Sequence, residues 1–226
     1  MVRLQGVAKA WMEAGRITVR HLIVSIGAVL CIEASAIGVA GRSLVPPIVF
    51  LGIVRLIEIA LLLVAAGLWG KGLSSVGLAG SYVVRGLLRG LVWSAGFGVV
   101  AVPAYIILYT MGIDALRLIQ ANLPSGPGET TLLFLVGGVV GPAAEEVFFR
   151  GILYGFFRRW GVFVALILST LVFVAAHPGF PHIPGTQVVG GVVFAMAYEI
   201  EGSLLAPLTI HVLGNTAIFT LSLVSS

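Results

Sequence analysis

The chain has 226 residues, of which 59% are hydrophobic and only 10% charged, with a mean hydropathy of +1.12. A soluble domain carries about 25% charged residues, so this composition excludes a protein that wets its whole surface. The net charge of +4 is spread over short loops rather than gathered in a patch and does not point to nucleic acid, which we do not expect as a partner.

The apolar runs are continuous and match the roughly 20 residues a membrane-spanning helix needs. A transmembrane barrel would instead show alternating segments of about ten residues. The expected fold is therefore all-α, a polytopic membrane helix bundle surrounded by membrane lipids. Residues 1–19 intersperse Arg3, Lys9 and Arg16 with Val2, Leu4, Val7, Ala8 and Trp11, which predicts an N-terminal interfacial helix. Seven spans follow, at about 20–40, 46–69, 87–111, 130–157, 161–177, 186–200 and 203–223, the fifth and sixth being short. The first has a basic start and ends near Ala34-Ser35-Ala36, a pattern also found in signal peptides, but Glu33 interrupts its apolar run. We read it as a retained span. Cys31, the single cysteine, follows Leu30 rather than a small residue and is expected to be a packed thiol. His21 reads as an interfacial residue at a span end.

Charge sets an orientation. With the N-terminus cytoplasmic, the inner flanks hold Arg3, Lys9, Arg16, Arg20, Lys71, Arg85, Arg89, Arg158 and Arg159, and the outer flanks only Arg42 and Arg117. Trp11, Trp69, Trp93 and Trp160 fall at inner span ends, where indole favours the headgroup zone. The Pro/Gly-rich stretch 123–128 is the clearest boundary, with Thr130 or Thr131 expected to cap the span after it. It divides the chain into 1–129, the interfacial helix with three spans, and 130–226, four spans carrying nearly all the chemistry.

That chemistry begins at Glu145-Glu146-Val147-Phe148-Phe149-Arg150. One charged side chain at a helix centre costs roughly 2.5–3.5 kcal/mol on insertion scales, so three within six residues require a reason. Glu146 and Arg150 are four apart and share a helix face, where they can pair. Glu145 is turned about 100° from Glu146, which leaves it free for another neighbour. An unpaired carboxylate in a low-dielectric site is the stronger base; the alternative is an ion-pair network that only locks helices together. Phe173 and His177 share a face at the end of the fifth span, and His211 and Asn215 share one in the seventh. The last pair offers hydrogen-bond donors suited to a developing oxyanion, or else an interhelical hydrogen bond. Glu145, His177 and His211 are also a possible zinc ligand set, although no His-Glu-x-x-His pair is present. Arg55 and Glu58 are expected to pair, with Glu33 reaching them, as a structural cluster or as the lining of a polar cavity. His182 reads as a loop residue near His177, and Glu199 and Glu201 as solvated turn charges.

Glu145-Glu146-x-x-x-Arg150, Phe173-x-x-x-His177 and His211-x-x-x-Asn215, in this order on separate spans, resemble the three motifs of the CPBP membrane proteases (CAAX protease and bacteriocin-processing, or abortive-infection), which include the type II CAAX prenyl endopeptidases. Arg150-Gly151, Gly190-Gly191 and the stretch 202–207 match in context, and the likeness covers about residues 130–226. The resemblance implies a glutamate-dependent intramembrane endopeptidase of a prokaryotic cell membrane. Glu145 would act as general base on a water that His177 orients. His211 and Asn215 would form the oxyanion site, with Glu146, Arg150 and Phe173 supporting. It implies a peptide or lipidated protein substrate; members of the family are often labelled metalloproteases, but we expect no metal cofactor here, with zinc as the alternative. A non-enzymatic scaffold or immunity protein with the same fold remains the other reading, and a small transporter a third. The oligomeric state is not legible.

Overall fold

A computed structural model describes residues 17–70, 72–177 and 185–225; the expected interfacial helix, His182 and most of its loop lie outside them. Helix α1 runs Val19–Ala40, α2 Pro47–Trp69, α3 Val83–Thr110, the short α4 Ala115–Ile119, α5 Pro127–Trp160, α6 Val162–Ala175, α7 Gly185–Glu201 and α8 Leu205–Ser225. The described residues contain no strand. All seven expected spans have a helix in the expected place. The helices α1, α2, α3, α5 and α8 are long and apolar enough to cross a membrane, whereas α6 and α7 are shorter.

The bundle is dressed in apolar side chains. Val99, Val100, Leu68 and Phe163 stand exposed, and the only buried residues of α1 are the polar His21 and Ser25. This pattern suits lipid rather than water outside. His21 is therefore enclosed by the protein rather than interfacial, and Cys31 is exposed rather than packed.

Helix α5 is the hub, packed on by α1, α2, α6, α7 and α8, while α3 lies chiefly against α8. Small residues set these approaches. Gly86 and Gly90 bring α3 against Ser203 and Thr209 closer than any Cβ would allow, and Gly191 does the same for α7 against Thr170 of α6. Gly77, at φ +79°, lets the turn after α2 dock under Tyr198 and accept a backbone hydrogen bond from Leu204 at 2.9 Å. Tyr198 and Leu204 belong to the main buried core, with Leu62, Val147, Ile152 and Tyr154.

Two local differences from the sequence reading stand out. The 112–129 connection contains α4, whose first turn is capped by Asp114 accepting from the Leu116 N–H at 3.2 Å. Helix α5 begins at Pro127, whose fixed φ suits a first turn, so Thr130 lies inside the helix and donates to the Gly126 carbonyl at 3.0 Å.

Candidate active site

Helix α5 is continuous but not regular. Its turns widen to π geometry over Val136–Val140 and again over Glu146–Tyr154, on either side of Pro142. Such turns recur at functional sites because they re-aim side chains and release backbone groups. In the first wide turn the Gly141 N–H donates to Val136 O. The next carbonyl in that register is Gly137 O, and the next residue, Pro142, has no N–H to offer it. Asn215 of α8 supplies the missing donor, its Nδ2 lying 2.9 Å from Gly137 O. One hydrogen of the Asn215 amide thus holds α8 to the bend in α5, and the second remains.

Just beyond the bend, the two glutamates diverge. Glu146 is fully buried, and its Oε1 accepts from Arg150 Nη1 at 3.0 Å and from His211 Nδ1 at 2.8 Å. Arg150 is buried too, held between the rings of Phe173 at 4.4 Å and Phe194 at 5.1 Å, with Nη2 donating to Gly191 O at 3.4 Å. Cation–π contact of this kind compensates a desolvated guanidinium.

Glu145 faces elsewhere. Its Oε2 lies 3.7 Å from His177 Nε2 and 3.8 Å from His211 Nε2, and it makes no hydrogen bond within the described residues. The sequence-predicted residues therefore fall into one neighbourhood: Glu145, His177 and His211 around a common point, Glu146, Arg150 and Phe173 behind them. Asn215 joins them along the wall of a cavity of about 860 Å³ between α3, α5, α7 and α8.

Hydrogen bonds fix one ring's tautomer. A backbone carbonyl can only accept, so His177 Nδ1, 2.7 Å from Phe173 O, carries a hydrogen. Neutral His177 then presents a lone pair at Nε2 toward Glu145. The Glu146 carboxylate accepts from His211 Nδ1, the kind of partner that fixes the orientation of a functional histidine. A donor at His211 Nε2 therefore requires the imidazolium, whose charge Glu146 is placed to compensate.

Phe194 belongs to none of the three motifs. It stacks on His211 with centroids 4.5 Å apart and rings 22° from parallel, while its ring also covers Arg150. Its place three residues past Gly191 in a glycine-rich helix is the only signal the sequence offers. Glu199 and Glu201, expected as solvated, are instead tied down. Glu199 takes Tyr154 Oη and Arg158 Nε at 2.8 Å, and buried Glu201 takes Arg89 Nε and Trp93 Nε1 at 3.2 Å. Both sit on the last turn of α7, where they anchor α5 and α3. No set of three His, Cys, Asp or Glu side chains among the described residues is arranged to hold a metal ion.

Residues 127–217 match the family model of the type II CAAX prenyl endopeptidase Rce1-like proteins. A Bacillus subtilis (strain 168) protein named "Putative membrane peptidase YdiL" is 28% identical over 93 residues, covering 41% of this chain and 38% of the relative. The chain thus spans under half the length of that relative. No solved structure matches. The matched stretch runs from the start of α5 into α8 and includes every residue of the three motifs, so this part of the chain is similar to the Rce1-like proteins over the same residues that carry the motif resemblance.

Proposed function

We propose that the protein is an intramembrane endopeptidase in which Glu145 is the general base. The observation that carries this reading is the contrast at adjacent positions: Glu146 is fully buried away from the cavity with its Oε1 taken by Arg150 and His211, while Glu145 lines the cavity wall with its Oε2 directed at two histidine Nε2 atoms and bonded to neither. The Rce1-like match over 127–217 supports a peptidase of this kind.

In this scheme the reacting water takes a place about 2.8 Å from both Glu145 Oε2 and His177 Nε2, which are 3.7 Å apart. It donates one hydrogen to each. Glu145 takes the proton, and the hydroxide adds to the peptide carbonyl carbon. His211, protonated on both nitrogens, donates from Nε2 to the resulting oxyanion, and the free hydrogen of the Asn215 amide serves the same oxygen. Collapse breaks the C–N bond, and Glu145 returns its proton to the leaving amine. No step uses a metal. The cavity, walled by Phe97, Val102, Val193 and Ile218 among others, suits an apolar peptide segment or an attached lipid. The substrate class we propose is a membrane-associated peptide or lipidated protein, with the N-terminus of the enzyme cytoplasmic, as the basic flanks favour.

The test is cleavage of a C-terminally prenylated reporter peptide by purified protein in lipid, wild type beside Glu145→Ala. Cleavage that disappears in a folded Glu145→Ala variant is expected. Cleavage that survives the substitution removes Glu145 as base. A folded wild type inert toward prenylated and unprenylated membrane peptides alike would favour the scaffold reading.

A further inference from the structure

A second cavity, of about 660 Å³, lies between α1, α2, α5 and α6. It shares only Glu145 and His177 with the first. Ile26, Val29, Leu62, Phe148 and Phe149 form much of its wall, and Glu33, Arg55 and Glu58 form a polar patch on it. Arg55 Nη1 bridges Glu33 Oε1 at 2.7 Å and Glu58 Oε2 at 2.5 Å.

Two facts say what fills this space. Glu33 and Arg55 sit well inside apolar helices, yet their side chains are 37% and 25% exposed. A charge left facing hydrocarbon costs several kcal/mol, and intramembrane charges accordingly face protein or a water-filled cavity. Glu58, a residue on the wall of the same space, is only 2% exposed, and its enclosed Oε1 has no hydrogen-bond partner within the described residues. Cavities with several convergent polar groups hold water, whereas purely apolar ones stay dry. The first cavity is polar at Ser94, Thr186, Gln187 and Asn215 but brings no charged group to its wall except Glu145 and the histidines.

We propose that the α1–α2–α5–α6 cavity is a water chamber that feeds Glu145 from the side away from the substrate, with Arg55, Glu33 and Glu58 keeping it wet. This rests on Glu145 being the base that activates water. Its logic is kinetic: a peptide or lipid seated in the first cavity displaces water there, and hydrolysis then needs a separate supply. Arg55, Glu33 and Glu58 are positioning residues in this scheme; none touches the substrate.

The test uses full-length protein in lipid nanodiscs with Cys31→Ser, so that each introduced thiol is unique. Aqueous methanethiosulfonate reagents modify thiolates, which exist only where water reaches. Val29→Cys in the chamber should react more than about tenfold faster than Val99→Cys on the lipid face; equal, slow rates would mean a dry chamber and overturn the proposal. Glu145→Cys should still be labelled when Ala101→Trp plugs the first cavity, and labelling should collapse when Val29→Trp is added. Loss of labelling with Ala101→Trp alone, or labelling undiminished by both plugs, overturns it. Neither measurement needs turnover, so they stand even if Glu145→Ala retains cleavage and the catalytic reading fails. In turnover, Val29→Trp should lower kcat with KM kept and Ala101→Trp should raise KM; the opposite split counts against the chamber.

Discussion

The charged residues at the end of α7 and those midway along α5 are built differently. At the end of α7, Glu199 and Glu201 are met by Arg158, Tyr154, Arg89 and Trp93, which tie α7 to α5 and α3. Midway along α5, Glu145 is left with two histidines at 3.7 and 3.8 Å and a cavity on each side. Charge in an apolar bundle is therefore no sign of function by itself. A fully bonded group holds helices together, and one left short of partners beside open space is available for chemistry.

The sharpest way to break this comparison is to neutralise one carboxylate in each group. Glu145→Gln keeps shape and removes the base, and kcat should fall by about 10²–10⁴ with the unfolding midpoint in SDS unchanged. A Glu145→Gln variant that loses stability and keeps its turnover would put Glu145 among the structural charges. The support behind it should fail in the other direction. Arg150→Ala leaves Glu146 charged and buried beside His211, and removing one partner of such a pair costs about 3–5 kcal/mol. Glu146→Gln with Arg150→Met should recover most of that stability but not activity, because the carboxylate facing His211 Nδ1 would be gone. Recovery of both would show that His211 needs no compensating charge.

At the α7 end the expected effect is smaller. Glu199→Gln weakens charge-assisted bonds to Arg158 and Tyr154, each group remaining partly bonded. We expect a loss of about 1.5 kcal/mol, read by SDS titration, with turnover per folded molecule unchanged. A fall in kcat without a fall in stability would join the two groups functionally.

Much of this was legible in the chain. Seven apolar runs placed seven helices, because hydrocarbon forbids most alternatives. The motif residues could be found because charge at membrane depth is rare enough to stand out. Spacing of four pairs Glu146 with Arg150, and spacing of three pairs Arg55 with Glu58, with Glu33 joining from α1. What was not legible depends on distance in sequence. Glu201 looked solvated because Arg89 is 112 residues away. Phe194 carries no local signature, and its value comes from His211 and Arg150 meeting it in space. The role of Pro142 needed the register of the wide turn, which periodicity at 3.6 cannot report, and only then does Asn215 appear as the donor for Gly137 O.

The smallest effect we expect is from metal removal, and it bears most directly on what Glu145 does. Each histidine has its Nδ1 on a protein oxygen and its Nε2 toward the same Glu145 oxygen. A neutral His177 in this tautomer accepts from water, and an imidazolium His211 has no lone pair left for a metal. The proposed chemistry therefore predicts turnover unchanged by chelators and not raised by zinc. If zinc restores activity lost to a chelator, a metal takes part, held by the lone pair of His177 Nε2 and, where His211 is neutral, of His211 Nε2, and Glu145 is either its ligand or the base beside it. Metal content of purified wild type and Glu145→Gln then separates the cases: a ligand's loss empties the site, whereas a base's loss abolishes turnover with metal content the same in both.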